Sequence, residues 1–236
     1  MAPDLEISAS QQAAIEALMM GEAPIPAPEW LARQCAMNHA GECTAALQDP
    51  ETFWAEKALA IDWAEPFSEV LRFRSPWHQW FLGGKLNATV NCVDRHAKGH
   101  RRSKAALIWV GEDGEERTYT YNRLYREVNR FANVLRRLGV QVGDRVVLYM
   151  PLVPEGVITM LACARIGAIH SVVYAGMGTN ALKARIEDAQ AKVVVATDFT
   201  FRRGKKIALL PAVDEAVRDL TFVDHVIIHR RGSKPG

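Results

Sequence analysis

The chain is 236 residues long, 49% hydrophobic and 24% charged, proportions that exclude a wholly disordered or collagen-like polypeptide. Its formal net charge of +2 hides an asymmetry: residues 1–70 hold 12 acids against Arg33 and Lys57, while residues 71–236 hold 27 bases against 15 acids. A basic body behind an acidic leader points to an anionic ligand, or to the leader folding back on the body, and the acids scattered through the basic part argue against a nucleic-acid surface. The opening MAPDLEIS shows no basic segment followed by an apolar stretch, and no apolar run approaches membrane-spanning length. The expectation is a cytoplasmic protein that keeps off membranes, with Cys35, Cys43, Cys92 and Cys163 as reduced thiols.

In chain order, a short helix is expected over residues 10–20, from a Ser10 cap to Gly21, then an extended Pro-rich linker, GEAPIPAPEW. A helix opening at Pro28 or Glu29 runs to about Leu47, and Asp49-Pro50 starts another through FWAEKAL. Residues 62–84, rich in Trp and Pro, read as irregular, and LNATVNCVDRHAKG as a helix closed near Gly99. ALIWV and RTYTY flank Asp113-Gly114, a hairpin signal, and Thr120 caps a helix whose Leu124, Val128, Phe131, Leu135 and Leu138 follow helical spacing up to Gly139. Strands RVVLYM, AIHSVVY, KVVVATD and FVDHVIIH then alternate with helices at PEGVITMLACARIG, TNALKARIEDAQ and about 204–219.

Such alternation implies an α/β fold: a mostly parallel sheet flanked by helices, behind a mainly helical N-terminal leader. The expected division is a leader over residues 1–100 and an α/β part over 101–236. Open α/β sheets bind ligands at the carboxyl ends of their strands, which directs attention to Met150-Pro151, 174–178, 198–206 and 229–231.

At that edge FRRGKK places Arg202, Arg203, Lys205 and Lys206 around Gly204, between a strand end and the start of a helix. Guanidinium forks, ammonium charges, the helix dipole and a glycine that admits close approach suit a phosphate. A competing pattern is Gly176-Met177-Gly178-Thr179-Asn180-Ala181 with Asp198 about 20 residues on, the spacing of a dinucleotide fold that would take NAD(P) through Gly176, Gly178 and Asp198. Two glycines are also what any tight strand-to-helix turn needs.

Cys35, His39 and Cys43 fall on one helix face but match no zinc spacing, so no metal site is expected. Asp94 and Arg95 read as a surface pair with a capping role, His170 as a hydrogen-bonded core histidine, and KGHRRSK as a solvated loop between domains. Nucleophile-elbow, Walker and zinc-protease motifs are absent from the sequence, and no residue is assigned a catalytic role.

Several segments together, DPETFWAE, LNATVNCVDRH, TYTYNRLYREVNRFANVLRRLGVQVGDRVVLYMPLVPE, MLACARIGAIHSVVYAGM and RIEDAQAKVVVATD…RRGK, resemble the AMP-forming acetyl-coenzyme A synthetase family of adenylate-forming enzymes. The likeness runs in order from about Asp49 onward. It implies a reaction of a short-chain carboxylate with ATP and Mg to an acyl-adenylate and pyrophosphate, followed by thioester formation with coenzyme A. It also implies that Arg202-Arg203-Gly204-Lys205 holds the 3′-phosphate of coenzyme A, with Lys205 where the family carries arginine. Tyr174-Ala175-Gly176 stands at the family's aromatic-Gly-Gly that packs on the coenzyme A adenine, with Ile207 beside the ring. The family's ATP phosphate loop, adenine and ribose segments, magnesium acid, acyl pocket and catalytic lysine would all follow Gly236. The expectation is therefore an N-terminal fragment that is catalytically incompetent alone and partners the missing C-terminal part.

Overall fold

The computed structural model describes residues 12–16, 28–34 and 39–232. Two compact units divide the chain, Met1–Trp54 and Ala55–Gly236. Of the helix expected over 10–20, residues 12–16 are helical, and Ser10, Gly21 and most of the Pro-rich linker lie outside the described residues, as does Cys35. The helix expected from Glu29 onward appears as α1 (Glu29–Gln34) and α2 (His39–Gln48). Asp49 starts α3 (Pro50–Ala58) by accepting the Thr52 N–H at 3.0 Å, which holds its carboxyl below the usual carboxylate range.

The second unit departs from the sequence reading at once. Residues 62–84 are not irregular: Glu69–Arg74 (β1) and Trp77–Leu82 (β2) pair antiparallel. Strong β-formers on both sides of Ser75-Pro76 explain the hairpin, and the alternation expected of a half-buried strand is missing because β2 is exposed from Trp77 to Trp80. The next helix covers residues 88–98 and contains a π-turn over Val90–Asp94 before its last stretch, α4 (Arg95–Lys98). The expected hairpin follows as β3 (Ala105–Val110) and β4 (Glu116–Thr120).

Helix α5 (Tyr121–Arg137) begins where the Thr120 hydroxyl accepts the Arg123 N–H at 3.2 Å, and Gly139 closes it with φ +79°. Then come β5 (Arg145–Met150), α6 (Pro154–Ile166), β6 (Ile169–Tyr174), α7 (Thr179–Ala189) and β7 (Val193–Thr197). A hairpin, β8 (Phe199–Arg202) and β9 (Lys205–Ala208), precedes α8 (Leu210–Val217) and β10 (His225–His229). The helix expected from about 204 thus starts at Leu210, because residues 205–208 are recruited as a strand.

The sheet is four-stranded and wholly parallel, in the order β10-β7-β5-β6. Val146, Leu148, Met150, Val193 and Val195 turn to a core shared with α5 and α6. The alternate residues Val147, Tyr149, Val194 and Ala196 turn to a second core with Leu182 and Ile186 of α7 and Val213 and Ala216 of α8. Burial on both faces is why these strands read as continuous β-branched runs. His170 does not sit in either core: it lies on the outer strand β6 and is exposed.

The LNATVNCVDRH segment is a clamp. Asn87 donates to the last carbonyls of α6, Ala164 at 3.2 Å and Arg165 at 3.0 Å, and the Thr89 hydroxyl donates to Leu161 at 2.8 Å. Asn91 exchanges two bonds with the Asp62 backbone. Asp94 is not a surface residue paired with Arg95: it is buried and takes both guanidinium nitrogens of Arg165, which also donates to Asn129 at 2.8 Å. Arg95 reaches instead to the Ala60 carbonyl. The π-turn supplies the changed direction, putting Asp94 and Arg95 on different partners.

Two stability predictions follow from burial. Leu135 is fully buried and its neighbour Val134 is 41% exposed, so Leu135→Ala should cost about 2–5 kcal/mol and Val134→Ala only about 0.5 kcal/mol by urea midpoint. Asp94→Ala should cost about 3 kcal/mol by leaving Arg165 charged and enclosed, and adding Arg165→Met should restore much of that loss.

Candidate functional site

Parallel strands end on one side, so His229, Thr197, Met150 and Tyr174 mark a single edge of the sheet. Tyr174 lies on β6 and the hairpin carrying Arg202 leaves from β7, with β5 between them. At the usual interstrand spacing the two strand ends are roughly 10 Å apart.

The Tyr174 turn is fixed from below. Gly176 and Met177 both donate to the Tyr174 carbonyl, at 2.8 and 3.1 Å, and the Tyr149 hydroxyl donates to Met177 at 2.7 Å from inside the sheet. Burial pushes the Tyr149 phenol up, keeping it a proton donor. The Tyr174 ring is 63% exposed and lies over Gly176, where a Cβ would come within 2.6 Å of it. Glycine at 176 is thus what lets the ring come so close to the turn.

The basic cluster is not at a helix start, as its sequence suggested, but at the tip of the β8–β9 hairpin. Arg202 pairs with Lys205, and Arg203 and Gly204 form the two-residue turn with φ +52° and +72°. The helix dipole therefore plays no part in this site. Cross-strand register decides which cations act together. Arg202, Lys205 and Ile207 share one face with Thr200, whereas Lys206 belongs to the opposite face with Phe199 and Phe201. There the Lys206 ammonium sits 3.8 Å from the Phe199 ring centre, and Arg231 lies over both phenylalanines at 5.2 and 5.4 Å.

Asp198 anchors the base of this hairpin. Its Oδ1 accepts the Phe199 N–H at 3.0 Å and the Arg231 N–H at 3.1 Å, its N–H donates to His229, and its carbonyl accepts from Leu209. A carboxylate so committed is structural, and Gly178 meets nothing within 4 Å of an added Cβ. The glycine turn also follows the outermost strand of the sheet. The dinucleotide reading of Gly176, Gly178 and Asp198 finds no support in this geometry.

Sequence reasoning missed a second feature of the same edge. A cleft of about 1200 Å³ opens beside α5 and α6, lined by Trp109, Tyr119, Phe199, Phe201 and the end of β10. Across its floor Arg117 makes two bonds to Glu155, at 2.7 and 3.3 Å, beneath a stack on Trp109, and His229 Nε2 lies 3.5 Å from the same carboxylate. These residues come from β4, α6 and β10, too far apart in sequence for spacing to reveal them. His96, against the Tyr121 ring, is held below the ordinary histidine range by burial and by Arg101 and Arg95. Among the described residues no three His, Cys, Asp or Glu side chains are placed to hold a metal ion, and no helix is long and apolar enough to cross a membrane.

Comparison with known proteins gives this geometry a context. Residues 42–92 match the acetyl-coenzyme A synthetase N-terminus. An acetyl-coenzyme A synthetase of Gemmatimonas aurantiaca is 50% identical over 187 residues, covering 79% of this chain and 29% of that protein. A 3-hydroxypropionyl-coenzyme A synthetase of Metallosphaera sedula is 52% identical over 188 residues, covering 78% and 28%. The solved structure of acetoacetyl-CoA synthetase from Streptomyces lividans superposes with a TM-score of 0.77 at 27% identity, over 94% of this chain and 34% of that one. The chain spans about 30% of the length of the curated relatives it matches. Residues 93–235, more than half of the chain, match the AMP-binding enzymes, and the chain belongs to that family.

Proposed function

We propose that this chain is the N-terminal portion of an AMP-forming acyl-CoA synthetase acting on acetate or another short-chain carboxylate, and that it carries the nucleotide half of the coenzyme A site. In this reading a leader of about 100 residues precedes the first part of the adenylation domain, and the whole enzyme works in the cytoplasm. It converts carboxylate and ATP to acyl-adenylate and pyrophosphate, then passes the acyl group to the coenzyme A thiol with release of AMP. The ATP and Mg sites belong to the part of the enzyme after residue 236, which is this chain's main partner.

The roles follow from chemistry. Arg202 offers a planar fork to the 3′-phosphate of coenzyme A and Lys205 a point charge beside it, while Arg203 adds charge and Gly204 gives the phosphate an approach to the backbone. The exposed Tyr174 ring, close against Gly176, offers a face to adenine, and Ile207 an apolar edge. The observation that carries this reading is the register of the β8–β9 hairpin, which gathers Arg202, Lys205 and Ile207 on one face at the edge that also bears Tyr174.

Calorimetry with coenzyme A and dephospho-coenzyme A tests it. Coenzyme A should bind at least about tenfold more tightly, and charge reversal at Arg202 and Lys205 should abolish the difference. Equal affinity for the two ligands, or stabilisation by NAD alone, would overturn the assignment. Gly176→Ala should weaken both ligands alike, because it disturbs the ring and spares the phosphate contacts. The 236-residue chain alone should show no carboxylate-dependent pyrophosphate exchange.

A further inference from the structure

The tip of the hairpin already has an anion on it. The Gly204 N–H donates to Glu112 Oε1 at 2.5 Å, across 92 residues of sequence. Glu112 stands in the β3–β4 connection, a turn closed by bonds from Gly111 to the Glu115 carbonyl at 2.7 Å and from Gly114 to Gly111 at 3.0 Å. Glu112 is exposed, so it is not there to fill a core. Its carboxylate meets the one backbone amide at the centre of the turn, flanked in sequence by Arg202, Arg203 and Lys205. A charged oxygen on a backbone N–H among guanidinium and ammonium groups is how a protein holds a phosphate oxygen.

We infer that the Glu112 carboxylate is an internal stand-in for the ligand phosphate, which an incoming phosphomonoester must displace from the Gly204 amide. The inference rests on the coenzyme A reading of the hairpin and adds a selective element to it. A phosphomonoester carries nearly two negative charges and three acceptor oxygens, and a carboxylate one charge and two oxygens. The exchange therefore favours the phosphate, by less than binding to a bare cationic turn would. Singly charged anions gain nothing from the exchange. The site thus keeps the Gly204 amide occupied when free and rewards a dianion, a specificity achieved by competition inside the protein. Release of Glu112 breaks the bond between the two hairpin tips, so phosphate binding is felt on an element far away in sequence.

The experiment compares the 236-residue chain with Glu112→Gln and Glu112→Ala, using coenzyme A, dephospho-coenzyme A and adenosine 3′,5′-bisphosphate as probes. Both variants should bind coenzyme A and the bisphosphate roughly 3- to 10-fold more tightly, with dephospho-coenzyme A unchanged. In free Glu112→Ala the Gly204 amide resonance should move from its wild-type position, because the carboxylate no longer accepts from it. Unchanged or weaker binding of the phosphorylated probes in both variants would show Glu112 to be an anchor of the hairpin, and would overturn the inference. An equal gain for all three probes would do the same, as it would reflect only added positive potential. If wild type itself fails to discriminate coenzyme A from its dephospho form, the site assignment falls. If it discriminates and the variants match it, the stand-in role alone falls.

Discussion

The fold depends on the burial of β5 and β7 from both sides. Val146 to Met150 and Val193 to Ala196 have no solvent face, so each strand must be followed by a helix that covers the sheet before the next parallel strand can form. Helices α5 and α6 cover one face and α7 and α8 the other. That constraint brings four strand ends to one edge and leaves the connections there free to vary. Functional residues collect on those connections because the scaffold holds their ends while their middles pack on little.

The edge is then stiffened by polar contacts that point inward. Tyr149 reaches through the sheet to the Tyr174 turn, and Asp198 ties the start of one hairpin to the end of β10. Phe199 and Phe201, with Arg231 and Lys206 stacked on them, form a foot on which the hairpin stands. Rigidity on one face of the hairpin leaves the other, with Arg202, Lys205 and Ile207, available to a ligand.

The parallel sheet and its helices were legible because two-sided burial leaves an unmistakable run of valines and isoleucines, and Thr120 and Gly139 bracket α5 with local chemistry alone. The β8–β9 hairpin was not, since Arg203 occupies a left-handed position usually given to Asn or Gly and so hides the turn. The cations were recognised as a group, but which of them cooperate is a matter of register, and register is set by partners rather than by composition. Asp94 reads as a surface residue because nothing in its local sequence marks its side of the helix as buried, while its true partner, Arg165, lies 71 residues away. Glu112 and the Arg117–Glu155 pair carry no signal in sequence, as each depends on elements that meet only after folding.

The π-turn in the segment that grips α6 has a consequence for how this stretch of chain can change. One surplus residue in the winding offsets everything after it by about 100° relative to a regular helix. Removing a residue between Thr89 and Asp94 would leave the composition and amphipathic look of the segment intact, yet rotate Asp94 out of phase with Arg165 and Arg95 away from Ala60. Substitutions there are a question of chemistry, but insertions and deletions are a question of geometry, so length is the property of this segment that the structure holds most tightly.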